Sequence, residues 1–108
     1  MKIKELKLYS KYKDINKPNI ELIYIGNEND NYYWFLYKHN NGNSSFSILK
    51  RYGFDPDKIV KDLNLGICFD KYGFKYIKEC KYRYQSKKYI ETNLKPILKD
   101  KLKNILNR

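Results

Sequence analysis

Apolar positions are densest in residues 31–52, NYYWFLYKHNNGNSSFSILKRY, where an unbroken run from Tyr32 to Tyr37 is followed by a polar stretch and a second, alternating apolar run. That pattern predicts a β-hairpin. Asn41-Gly42 is the expected turn, because a two-residue type I′ loop needs positive φ at both central positions and Asn-Gly accepts it at least steric cost. The register then sets Tyr37 opposite Phe46, Phe35 opposite Ile48, Trp34 opposite Leu49 and Tyr32 opposite Arg51, with successive pairs on opposite faces. Tyr37, Phe46, Phe35 and Ile48 form the expected core face. Trp34, Leu36 and Leu49 share the other face with Tyr32, Arg51, Ser45 and Ser47. Two arrangements fit that second face: a helix covers it and Trp34 is core, or it stays open as an aromatic and basic surface.

The flanking segments extend this plan. Residues 1–17 carry weak alternation and are read as a strand, ended by a loop at Asn16-Lys17-Pro18-Asn19, where Pro18 lacks a donor. Residues 20–25 alternate as a second strand and complete a meander. Asp55-Pro56 is an N-cap followed by proline at the first helical position, and Asn64 and Gly66 are stop signals, so residues 55–63 predict a short helix with Ile59, Val60 and Leu63 buried. Residues 66–69 and 74–84 read as a second hairpin closed at Gly73. Strict alternation puts Phe74, Tyr76, Cys80, Tyr82 and Tyr84 on one face of its long strand and Lys75, Ile77, Glu79, Lys81 and Arg83 on the other. Leu94, Ile97, Leu98, Leu102, Ile105 and Leu106 recur at helical spacing and predict a C-terminal helix over residues 93–107. The expected architecture is one α+β domain spanning residues 1–108. An antiparallel sheet of about five strands, a meander plus a second hairpin, is packed by the short helix and the C-terminal amphipathic helix.

Charge changes the picture of function. The formal net charge is +11, which favours an anionic partner through counterion release and steering. Twenty Lys against three Arg, twelve each of Asn, Ile and Tyr, and no Ala are also what an AT-rich genome writes, and phosphate-binding surfaces often use the planar fork of Arg. The excess is nevertheless uneven: residues 1–17 carry +4, residues 18–80 have eight charges of each sign, and residues 81–108 carry +7. The expected nucleic-acid surface is therefore Lys81, Arg83, Lys87, Lys88, Lys95, Lys99 and Lys103, whose competing reading is a solvated basic face. Tyr32, Trp34, Tyr82 and Tyr84 are candidate aromatic contacts, since single strands are held by rings beside a cationic track.

Other chemistry finds little footing. Cys68 and Cys80, with eleven residues between them, match no zinc or redox spacing and read as reduced thiols. With His39 as the single histidine, no metal site is assembled and no cofactor is expected. Asp70 with Glu79-Cys80-Lys81 has the order D…E-x-K, which resembles the restriction-type nuclease motif, but neither hairpin register lets the two carboxylates share one metal. The N-terminus has no continuous apolar stretch, so neither a signal peptide nor a membrane anchor is expected, and a cytoplasmic location follows. The expectation is a non-enzymatic module for nucleic acid or a nucleoprotein complex. The alternative is a phage or mobile-element inhibitor of a bacterial defence complex, anti-CRISPR in type, acting on a host defence protein.

Overall fold

Strand β3 (Tyr32–Ser45) carries apolar side chains on both faces and occupies the interior of the sheet, with a core on each side. The computed structural model describes residues 1–28 and 31–97. Around β3 run β1 (Lys11–Asp14), β2 (Lys17–Glu28), β4 (Ile67–Phe69), β5 (Lys75–Ser86) and β6 (Leu94–Pro96), in the antiparallel order β4-β5-β3-β2-β1-β6. The expectation of about five strands is thus met by six. Helices α1 (Phe46–Arg51) and α2 (Pro56–Leu63) cover one face, where Phe46, Leu49 and Ile59 pack on Ile25, Trp34, Leu36, Ile77 and Cys80. Helix α3 (Lys87–Asn93) and a 3-10 turn at Ile3–Glu5 cover the other, where Ile90 and Ile3 meet Tyr12, Leu22, Tyr24, Phe35 and Leu94.

The central hairpin is the main correction. Asn41-Gly42 does not reverse the chain: β3 continues through it and pairs with β2 on one side and β5 on the other. Residues 39–42 instead form a bulge opposite Glu79, the register passing from Lys38↔Cys80 to Asn43↔Lys78. Gly42 is buried there against the Lys81 side chain, whose Cγ leaves no room for a Cβ. The bulge is fastened by the Glu79 amide donating to Asn43 Oδ1 at 3.0 Å and Ser44 Oγ donating to the Cys80 carbonyl at 3.0 Å. Residues 46–51 are helical, since Ser45 Oγ accepts from the Ile48 amide and Phe46 and Leu49, three apart, share one buried face. The predicted pairs Tyr37–Phe46 and Phe35–Ile48 therefore do not form.

Glu79 has φ +54°, a left-handed conformation uncommon for a residue other than glycine, and it shifts the phase of β5. Ile77 on one side of it and Cys80 on the other consequently enter the same core. Strict alternation had placed them on opposite faces. A second bulge, at Ile25 with Gly26 at φ +128°, lets both Tyr24 and Ile25 be buried, one in each core, and leaves room for the Phe54 ring against Gly26. Burial pushes the Tyr24 hydroxyl up to about 12.

Two terminal expectations also change. The loop expected at Pro18 is strand: β1 and β2 are joined by a tight turn at Ile15 and Asn16, whose amide donates to Asp14 Oδ1 at 2.8 Å. Leu94–Pro96, expected to open the C-terminal helix, pairs with β1 as β6; the rest of that helix, residues 98–107, lies outside the described residues. The predicted short helix and second hairpin are present, with Asp55 Oδ1 accepting from the Lys58 amide, Asn64 left-handed at the C-cap and Gly73 at φ +85°. Among the described residues, no helix is long and apolar enough to cross a membrane.

Candidate nucleic-acid interface

Strand alternation separates the residues that the sequence groups together. Tyr82 and Tyr84 pair with Leu36 and Trp34 and share their face, whereas Lys81 and Arg83 pair with Tyr37 and Phe35 on the opposite one. Lys87 and Lys88 are exposed at the start of α3. Lys95 is exposed on β6, four strand steps from β5, or roughly 19 Å along the sheet at the usual interstrand spacing. Lys99 and Lys103 lie outside the described residues. The proposed basic surface is therefore not one patch.

Arg83 is not available to a ligand. Its guanidinium reaches Asp14 on β1, with Nη1 3.3 Å from Oδ2, and its side chain is only 18% exposed. Asp14 is fully buried and also accepts from the Tyr89 hydroxyl at 2.6 Å. This cluster ties β5 and α3 to the β1–β2 turn, so the expected nucleic-acid contact Arg83 is a structural ion pair. The chain separation of its members, from the N-terminal hairpin to α3, hid it from sequence reading.

Of the two arrangements open to Trp34, candidate contact or core, the structure has the core one, at 2% exposure. Its ring lies 4.8 Å from that of Tyr52, 5.1 Å from Tyr82, 5.1 Å from Tyr84 and 5.5 Å from Phe54. The indole N–H has no acceptor among the described residues, so ring packing rather than hydrogen bonding fixes it. Above this buried indole the surface is made of tyrosine. Tyr84 is 52% exposed, Tyr32 46% and Tyr52 37%, and Tyr32 meets Tyr84 edge to face at 5.3 Å. Tyr82 is half-buried beneath them.

Tyr52 and Phe54 are the members that sequence reading missed. Both follow α1, and the helix returns them over Trp34, a route closed to the hairpin expected there. Exposed cations adjoin these rings in the chain: Lys50 and Arg51 end α1 immediately before Tyr52, and Lys87 and Lys88 open α3, which turns to the opposite face of the sheet, directly after Ser86, the register partner of Tyr32. None of these four is ion-paired among the described residues.

A second basic location lies at the β1–β6 edge, where Lys4, Lys7 and Lys11 line a cleft of about 630 Å³ with Glu5, Ser10, Tyr12, Pro96 and Ile97. Its one aromatic residue, Tyr12, is buried and offers no free ring face. The nuclease-like motif is dispersed as well. Asp70 closes the β4–β5 turn, accepting from the Tyr72 amide at 2.8 Å, the Phe74 amide at 3.0 Å and the Tyr76 hydroxyl at 3.1 Å. Among the described residues no group of three or more His, Cys, Asp or Glu is placed to hold a metal ion.

No protein family, curated protein or solved structure matches the chain.

Proposed function

We propose that this is a non-enzymatic binding protein that engages single-stranded nucleic acid, free or within a nucleoprotein complex, on the surface formed by Tyr32, Tyr52 and Tyr84. The observation that carries this reading is a cluster of partly exposed tyrosines, Tyr52 and Tyr84 packed on the buried Trp34 indole and Tyr32 edge to face on Tyr84, with exposed Lys50 and Arg51 immediately before Tyr52 and exposed Lys87 and Lys88 following Ser86, the register partner of Tyr32. Rings held by a packed layer below lose little entropy on meeting a base, and each base stacked contributes about 1–3 kcal/mol. The adjoining cations supply the phosphate contacts that give affinity without sequence preference. The Lys4–Lys7–Lys11 cleft has charge but no stacking surface, which favours the tyrosine face.

Titration of a labelled single-stranded oligonucleotide tests this. Tyr32→Ala and Tyr84→Ala should each weaken binding about tenfold or more at constant salt, whereas substituting Lys87 and Lys88 with Gln should lower the salt dependence by about two units of slope. Affinity unchanged in both tyrosine variants would overturn the reading.

A further inference from the structure

Among the described residues, β4 is an edge strand with no neighbour on its outer side. On either side of β4, the Gly66 carbonyl accepts from the Lys78 amide at 2.9 Å, and the Asp70 amide donates to the Phe74 carbonyl at 3.1 Å. Backbone direction alternates along a strand, so the even positions face β5 and the N–H and C=O groups of Ile67 and Phe69 point outward from the sheet edge. An open edge of this kind is usually blunted by Lys, Pro or a covering element. Here its residues are Ile67, Cys68 and Phe69, and beyond them the hairpin tip exposes Tyr72 at 72% and Phe74 at 57%.

We propose that this edge is a self-association surface, on which a second copy of the chain pairs antiparallel through Ile67–Phe69 about a two-fold axis at Cys68. The register follows from the backbone. Ile67 of one copy and Phe69 of the other exchange both N–H···O=C bonds, and the symmetric pair does the same, giving four hydrogen bonds. The patch is complementary to itself, as a two-fold interface requires, because apolar Ile67 meets apolar Phe69 on the same face. The partner joins a six-stranded sheet to its equal, so each copy covers the other's bare edge.

Charge and area fit a second copy. The +11 excess lies at the two ends of the chain, and residues 18–80, which contain β4, the hairpin turn and the first half of β5, carry eight charges of each sign. Lys75 is in addition paired with Asp57 at 3.8 Å. Aromatic side chains carry roughly 150–250 Å² each, so the exposed parts of Ile67, Phe69, Tyr72 and Phe74 amount to on the order of 400 Å² per copy. Two such patches, in an interface about 60% apolar, reach roughly 1,300 Å², the size of a specific complex.

The same geometry supplies its own test. Cys68↔Cys68 is a non-hydrogen-bonded antiparallel pair, with Cα atoms about 4.5 Å apart, inside the roughly 4.4–6.8 Å range that a disulfide spans. Cys68 is half-buried, whereas Cys80 is buried and its thiol is pushed up by that burial. The full chain should show a concentration-dependent monomer–dimer equilibrium by analytical ultracentrifugation under reducing conditions. Copper-phenanthroline, which removes two electrons and two protons from a thiol pair, should trap a covalent dimer in wild type and Cys80→Ser but not in Cys68→Ser. Phe69→Lys, at an exposed position that leaves the fold intact by circular dichroism, should abolish both the equilibrium dimer and the trapping. A monomer at every concentration up to millimolar would overturn the proposal. So would a dimer, or a disulfide, that survives Phe69→Lys.

Discussion

Replacing Arg83 with Met should destabilise the domain by about 3–5 kcal/mol, the cost of leaving a buried carboxylate without its counter-charge. Asp14 is fully buried, and without Arg83 its carboxylate keeps two neutral donors, the Tyr89 hydroxyl at 2.6 Å and the Asn16 amide at 2.8 Å. Arg83 Nη1 lies 3.3 Å from Oδ2 but makes no directed hydrogen bond there, so the attraction is charge against charge, and the loss should sit near the lower end of that range. Met preserves most of the stem volume, which separates loss of charge from loss of packing. Urea denaturation followed by Trp34 fluorescence reads the change as a shift of midpoint at constant slope. Combining Arg83→Met with Asp14→Asn should recover part of the loss, with a coupling of about 2 kcal/mol in the double-mutant cycle. A cost below about 1 kcal/mol for Arg83→Met, the value of a surface pair, would refute the burial argument and return Arg83 to the pool of ligand-binding cations.

Trp34→Ala should cost about 3–5 kcal/mol, and wild-type emission should be blue-shifted and resistant to acrylamide, because the indole lies beneath four other rings. Gly42→Ala should destabilise by about 1–3 kcal/mol by forcing Lys81 aside, and Lys81→Ala in the same chain should restore most of it by removing the obstructing Cγ. Stability should also fall in acid. The Lys58 ammonium and the Tyr9 hydroxyl hold Asp62 below the usual carboxylate range. For Asp70, partial burial is the largest influence and pushes upward, but the Phe74 and Tyr72 amides and the Tyr76 hydroxyl together outweigh it and hold the group low. Both folded-state values lie below the unfolded ones. Their stabilisation is therefore complete above the unfolded carboxylate value of about 3.9 and fades as pH falls through the lower folded values. The melting temperature measured against pH should show that decline, and Asp70→Asn should flatten it.

What the sequence revealed and what it hid divide along local and non-local signals. Helix α2 was legible because each boundary is written in adjacent residues, Asp55-Pro56 at the start and Asn64 at the end. The β4–β5 hairpin was legible through Gly73 and Asp70, whose side chain builds the turn. Residues 46–51 were read as strand because Phe46 and Ile48 alternate; Phe46 and Leu49 fit a helix equally, and Ser45 as a cap decides for it only once β3 is seen to pass beside it. No sequence signal announces the left-handed Glu79, so the phase of β5 before that bulge was misread. The three-residue strand β6 exists only because β1 lies beside it, a tertiary effect that overrides helical periodicity. Tyr32 and Tyr84 were each visible as candidates. Their meeting was not, because it depends on β3 pairing with β5.

The most direct test of the tyrosine face is photocrosslinking to a bromouridine-substituted single strand, with the modified peptides mapped by mass spectrometry. Adducts at Tyr32, Tyr52 or Tyr84 are expected, competed away by unlabelled single strand and absent from Trp34. Adducts confined to the Lys4–Lys7–Lys11 cleft or to Lys95, or no adduct at saturating strand, would contradict the proposed site.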